Sequence, residues 1–225
     1  MTTENELFTR AEQQQVTEAV KGAELRTIAE IVPVVARCSG RYDRAEDVLG
    51  LWVGVAALIL CWSWIPVPVT ETGSWSGLSH LEYLGLLIAS LVLGFVLGAW
   101  LGSRLPGLRV LFIPKKQMRD EVSLRAQAAF FDRRVHHTRD RAGMLIFVSL
   151  YERRAVILAD QAVLDKLGQP KLDELCELLR ADLAKLPVTE AICSSISRLG
   201  DELALALPGG NQNQDELADA LIVYP

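Results

Sequence analysis

The chain has 225 residues, half of them hydrophobic, and carries 23 Lys and Arg against 28 Asp and Glu, a net charge of −5. That acidity argues against nucleic acid as a partner, because neutralising phosphates takes a basic field. Cys38, Cys61, Cys176 and Cys193 fall at no zinc-ligand or disulfide-framework spacing, which fits a reducing compartment.

From the N-terminus, Thr9 and Glu12 form a capping-box pattern, after which Val16, Ala19, Val20 and Ala23 recur on one face. This predicts an amphipathic helix from Arg10 to about Arg26. Ile31, Val32, Val34 and Val35 predict a strand, in which Pro33 cannot donate to a ladder and so points to an edge position or a bulge. Ser39 and Gly40 end it, and the polar stretch Arg41–Asp47 runs straight into an apolar one.

Val48–Val69 and Tyr83–Ser103 carry no formal charge, and each meets the roughly 20-residue length that a bilayer core demands. Both are predicted to span as helices, which satisfy their own backbone groups in lipid. Trp52, Trp62, Trp64, Trp75 and Trp100, all the tryptophans of the chain, lie in or beside these runs, as interfacial indoles do. The link Thr70–Glu82 has no Lys or Arg, whereas Arg37, Arg41 and Arg44 precede the first run and Arg104, Arg109, Lys115 and Lys116 follow the second. The positive-inside bias then puts both termini in the cytoplasm, in a multi-pass protein of the plasma (inner) membrane. Gly50 and Gly54 on the first run, and Ser90, Gly94, Gly98 and Gly102 on the second, recur every fourth residue. Such ridges allow close helix contact within the hairpin, between copies of the chain, or with a membrane-protein partner.

Beyond the second run, Pro106 and Gly107 make a turn and Pro114 opens a predicted helix with Met118, Val122, Ala126 and Ala129 on one side. Lys115, Lys116, Arg119 and Arg125 keep that helix hydrated or near anionic lipid. Met144–Leu150 reads as a strand buried on both faces and Ala155–Ala159 as a second, joined by four residues that permit a hairpin and not a crossover. Two helices are predicted next, one striped by Leu172, Leu175, Cys176, Leu179 and Leu183, the other by Val188, Ile192, Ile196, Leu199 and Leu203. Cys176 and Cys193 are expected on or beside those stripes as small buried hydrophobes. Pro208, Gly209 and Gly210 stop the last helix, and a polar loop from Asn211 to Asp219 precedes a candidate short strand, Leu221–Tyr224.

The residues ahead of the apolar hairpin are too few to bury a core alone. Residues 1–47 and 104–225 are therefore expected to form one cytoplasmic α/β domain, a small mixed central sheet flanked by helices. The two-helix transmembrane hairpin, 48–103 with spans at 48–69 and 83–103, interrupts it.

The run Ala23–Pro33, then Tyr42, Thr138, Arg141, Gly143–Ser149 with Glu152, Arg153 and Arg154, and a strand ending in Asp160, resembles the TPM-domain family. The resemblance covers nearly all of the chain outside the hairpin. It implies an α/β sandwich around a small central sheet, with two membrane spans inserted after the first strand. It also implies divalent metal (calcium) binding, assembly or repair of membrane complexes, modulation of a membrane receptor, and weak acid phosphatase activity. The family's acidic tail, of the form Asn-Glu-Leu-Pro-Asp, reads here Asp215-Glu216-Leu217-Ala218-Asp219.

Glu30 at the start of one predicted strand, Asp160 at the end of another, and Asp215, Glu216 and Asp219 in the late loop are placed to converge at one sheet edge. Ca2+ and Mg2+ take oxygen ligands of this kind, and a bound metal would polarise a phosphate ester with Arg141 as the charge clamp and catalytic candidate. Caps, turns and solvated acids use the same residue types. His136 and His137 read as an exposed loop pair. Two functions follow as expectations: a scaffold or accessory factor for membrane proteins that binds a divalent metal, and a weak metal-dependent acid phosphatase.

Overall fold

Thr9 and Glu12 close their box in both directions, Thr9 Oγ1 accepting from the Glu12 N–H and the Glu12 carboxylate accepting from the Thr9 N–H at 2.7 Å. Helix α1, Arg10–Glu24, starts there. The computed structural model describes residues 7–40, 43–65, 79–105, 113–209, 217 and 219–224. Over these the chain is mixed α/β and mostly helical, with seven helices and a four-stranded sheet. After α1 come β1 (Glu30–Ala36), α2 (Asp43–Trp64), α3 (His80–Arg104), α4 (Lys115–Asp132), β2 (Gly143–Ser149) and β3 (Arg154–Ala159). Helices α5 (Gln161–Leu167), α6 (Gln169–Leu183) and α7 (Val188–Ala206) lead to β4 (Ile222–Tyr224).

The chain divides into two compact units, Met1–Gly40 with Met118–Pro225, and Arg41–Gln117. In the first, the sheet order is β3-β2-β1-β4. β1 runs parallel to β2 and β4, and β2 runs antiparallel to β3 through the four-residue turn. Every residue of β1 and β2 is buried, so neither strand alternates between apolar and polar. On one face Ile31, Val35, Met144 and Ile146 pack with α1, α6 and α7, and on the other Val32, Val34, Leu145 and Phe147 pack under Val122, Ala126 and Ala129 of α4. Where α1 crosses α7, a Cβ on Gly200 would lie 2.7 Å from the Ala23 Cβ, so only glycine allows that approach.

Three sequence expectations need correction. Pro33 lies in an interior strand and not at an edge. The Ile31 and Arg37 N–H groups donate to the Glu24 carboxylate and the Tyr224 carbonyl, so odd-numbered residues of β1 turn their N–H toward the β4 side. β4 pairs only from Val34 onward, and the missing donor of Pro33 falls where no strand asks for it. Helix α5 is an addition, since seven residues are too few to show a period; the Asp160 carboxylate caps it and Gly168, at φ 75°, ends it. Finally, α2 stops at Trp64, because a residue ahead of proline is driven out of the helical region; Pro66–Val69 lie outside the described residues.

In the second unit α2 and α3 run antiparallel. A Cβ on Gly54 would sit 2.8 Å from the Leu91 carbonyl oxygen, on Gly94 2.8 Å from the Ala57 Cβ, and on Gly98 2.7 Å from the Val53 Cβ. The small-residue ridge is therefore taken up by the contact between α2 and α3, Gly50 and Gly102 at its end facing Phe95 and Leu49. Glu46–Trp64 and His80–Arg104 are long and apolar enough to cross a membrane by length and composition, and few of their residues are buried. Trp52, Ile59, Trp62, Leu93, Val96 and Trp100 point outward.

Candidate functional site

The register of the sheet gathers acids at the start of β1 and β2. Glu30 pairs with Gly143, and Met144 pairs with Ala159, so Asp160 falls beside Gly143 and its N–H donates to the Gly143 carbonyl at 2.8 Å. Between the two acids Gly143 carries no side chain, and a Cβ there would lie 1.8 Å from the Val135 carbonyl oxygen. Asp160 Oδ1 accepts from the Gln161 N–H at 2.7 Å, while Oδ2 is buried with no hydrogen-bond partner among the described residues. Two strand spacings, about 10 Å, separate Asp160 from Glu30 along the backbone.

A tighter group forms on the other side of Glu30. Glu24, at the last position of α1, Glu30 and Asp219 are all buried. Glu24 Oε1 accepts from the Ile31 N–H at 2.7 Å, and Glu30 Oε2 accepts from the Leu217 N–H at 3.3 Å. Burial, and then the charges of Glu30 and Asp219, push the Glu24 carboxyl up to about 8 against the pull of the Ile31 N–H. Glu24 thus keeps its proton near neutrality, with the Asp219 side chain as a hydrogen-bond neighbour. Asp219 Oδ2 is 3.7 Å from Lys21 Nζ, and its Oδ1 is buried with no hydrogen-bond partner among the described residues.

Of the acids predicted for the site, Glu30 and Asp219 come together, Asp160 stands two strands away, and Asp215 and Glu216 lie outside the described residues. Among the described residues no three His, Cys, Asp or Glu side chains are grouped so as to hold a metal ion. One oxygen each of Glu24 and Glu30 accepts from a backbone N–H, and burial pushes the Glu24 carboxyl up, toward its neutral form. Arg141 has an exposed side chain and a left-handed backbone, φ 51°. Its carbonyl accepts from the Ala162 N–H at 3.1 Å, which ties the loop to α5. His136 and His137 are exposed. Sequence reasoning missed Glu24 and Lys21; the available signal was an acid continuing the buried face of Val16, Val20 and Ala23.

Two further polar groups fasten the sheet. At the opposite end of β1, the buried Glu152 carboxylate accepts from the Ser39 N–H at 2.9 Å, the Gly40 N–H at 3.3 Å and the Ser149 hydroxyl. It clamps the backbone where the first part of the domain ends. At the β3 edge the Ala155 carbonyl receives the Cys176 thiol at 3.2 Å and the Arg180 guanidinium at 3.0 Å. Burial pushes the Cys176 thiol up, so it is a neutral donor there and more than an inert filler.

No protein-family model and no curated protein sequence matches this chain. Among solved structures it is similar in fold to the NMR structure of BA42 protein from the psychrophilic bacterium Bizionia argentinensis, with a TM-score of 0.57 and 15% identity over 99% of each chain.

Proposed function

We propose that this is a TPM-like integral membrane protein whose hairpin spans the plasma (inner) membrane with both termini in the cytoplasm, and whose α/β unit serves as a scaffold or accessory factor for other membrane proteins. The observation that carries the reading is the surface of α2 and α3. Their glycines face each other, and tryptophans and aliphatic side chains cover the outside of two helices of 22 and 25 residues. Water would penalise that much exposed apolar surface, and lipid would not. The unit Met1–Gly40 with Met118–Pro225 is interrupted in sequence by the hairpin, which makes anchor and domain inseparable. Chemical crosslinking of the full chain in native membranes tests the scaffold role: stable crosslinks to membrane-protein neighbours support it, and recovery of monomer alone contradicts it.

The same reading includes a divalent cation, Ca2+ or Mg2+, taken by Glu30 and Asp219, both of them buried, where Asp219 Oδ1 has no hydrogen-bond partner among the described residues and Lys21 Nζ stands 3.7 Å from its Oδ2. Among the described residues no third His, Cys, Asp or Glu side chain joins them as a ligand. Calorimetric titration of detergent-purified protein with calcium, magnesium and manganese decides it. Saturable binding lost in Asp219→Asn supports the site, and heat changes equal to buffer dilution contradict it. Weak metal-dependent phosphatase activity is the second reading, favoured by the unsatisfied Asp160 Oδ2 beside the Arg141 loop. It predicts phosphate-ester turnover that falls at least tenfold in Asp160→Asn and Arg141→Ala; turnover unchanged by either would remove it.

A further inference from the structure

Residues 115–141 differ in charge from the rest of the molecule. They hold eight Lys and Arg against four Asp and Glu, a net of +4 in a chain of net −5. The positive-inside rule accounts for Lys115, Lys116 and Arg119, which follow α3 within about 15 residues. It does not account for Arg133, Arg134, Arg139 and Arg141, which come about 30 residues after it. Helix α4 turns Met118, Val122, Ala126 and Ala129 into the core, and leaves Leu124 and Phe131 each 61% exposed with the exposed Ala128 between them. Positions 124, 128 and 131 follow the i, i+4, i+7 spacing of one helical stripe. Phe131 is extended by the His136 ring, 5.1 Å away between centroids. The residue after the helix that turns the chain, Arg134, has φ 55°, as Arg141 has φ 51°; these two arginines are exposed at both ends of the loop that follows the stripe.

An outward apolar stripe with an aromatic residue, bracketed by basic residues at both helix ends, is the composition of a surface that lies in a lipid headgroup layer. We infer that the outer face of α4 and the loop 133–141 dock on an anionic bilayer surface, Leu124 and Phe131 entering the headgroup zone while Lys116, Arg134 and Arg141 meet lipid phosphates. Asp120, Glu121 and Asp132 share that side of the helix, so the positive charge is carried by Lys116 and by the arginines of the loop, and the attraction is limited to membranes rich in acidic lipid. The chain connecting α3 to α4 is only ten residues long, so an anchored hairpin holds α4 at high effective concentration near its own bilayer. The inference rests on the proposed membrane anchoring and goes beyond it in naming the second contact.

Hydrogen–deuterium exchange of the full chain in lipid nanodiscs tests both and separates them. Peptides of α2 and α3 report the anchor, and peptides covering 120–137 report the docking, in discs of phosphatidylcholine alone and in discs with 30% phosphatidylglycerol. Docking predicts protection of 120–137 at least tenfold greater in the acidic discs, abolished by 0.5 M salt and by the triple change Phe131→Ser, Arg134→Ala, Arg141→Ala. Equal protection of 120–137 in both lipids, with α2 and α3 protected, overturns the docking and leaves the anchor; equal protection that persists in the triple variant also assigns the stripe to a protein contact. Fast exchange throughout α2 and α3 overturns the anchor itself.

Discussion

Single residues decide how the acidic end of the sheet behaves. Glu24 holds its proton up to about pH 8 in the folded chain and only to its ordinary value of 4.5 when unfolded. Between those values the folded state binds more protons, so stability falls as the pH rises from 4.5 through 8 and levels off above. The loss is on the order of a few kcal/mol. Glu24→Gln keeps an acceptor for the Ile31 N–H and cannot ionise, so its Tm is expected to be nearly flat between pH 5.5 and 8.5 while the parent's declines; parallel declines would show that Glu24 is not the group responsible. Gly143 is a second such residue. With the Val135 carbonyl oxygen 1.8 Å from any added Cβ, Gly143→Ala forces the backbone of β2 or of the loop to move, at about 3 kcal/mol or more. Urea unfolding of the two proteins checks it, and a variant within about 0.5 kcal/mol of the parent would contradict the packing. The sequence marks Gly143 and Asp160 through their positions at strand ends. It hides the depth of Glu24 and Asp219, because burial of a helix-terminal acid depends on a segment almost 200 residues away in the chain.

At the scale of elements, periodicity was sufficient where an element had a full apolar face. α1, α4, α6 and α7 follow stripes of four or five residues, β2 follows the nearly continuous apolar run from Met144, and β3 follows the five-residue run Ala155–Ala159. It failed for α5, which is set by one cap and one glycine, and for Pro33, whose tolerance depends on how short β4 is. The hairpin offers a direct test of its packing. Gly98→Leu places a side chain into Val53, whereas a Cβ on Gly85 meets nothing within 4 Å among the described residues. Gly98→Leu is expected to lower the Tm of the detergent-solubilised protein by several degrees and Gly85→Leu to leave it within a degree or two; equal effects would place the contact face elsewhere. On β3, Arg180→Ala strips both guanidinium donors, Nε and Nη2, from the Ala155 carbonyl and exposes the strand edge, with increased light scattering on heating as the expected readout.

For the whole molecule, the consequence of topology is that β1, one of the two interior strands, comes from the segment before the hairpin and its neighbours β2 and β4 from the segment after it. A fragment of residues 114–225 lacks Ile31, Val32, Val34 and Val35 from its core and is expected to be a partly folded, aggregating species, rescued by supplying residues 1–40. That discontinuity was legible in the sequence because the short leading segment could not bury its apolar faces alone; the pairing partner on its far side, β4, was visible only as an apolar scrap. The central claim is that the hairpin between those segments crosses a bilayer and returns. Right-side-out membrane vesicles carrying Ser74→Cys or Thr3→Cys, compared with the parent chain for background, can be labelled with a membrane-impermeant maleimide. Labelling of Ser74→Cys in intact vesicles, and of Thr3→Cys only after permeabilisation, is the predicted result. Both sites labelled alike in intact vesicles would mean that the hairpin does not span the membrane.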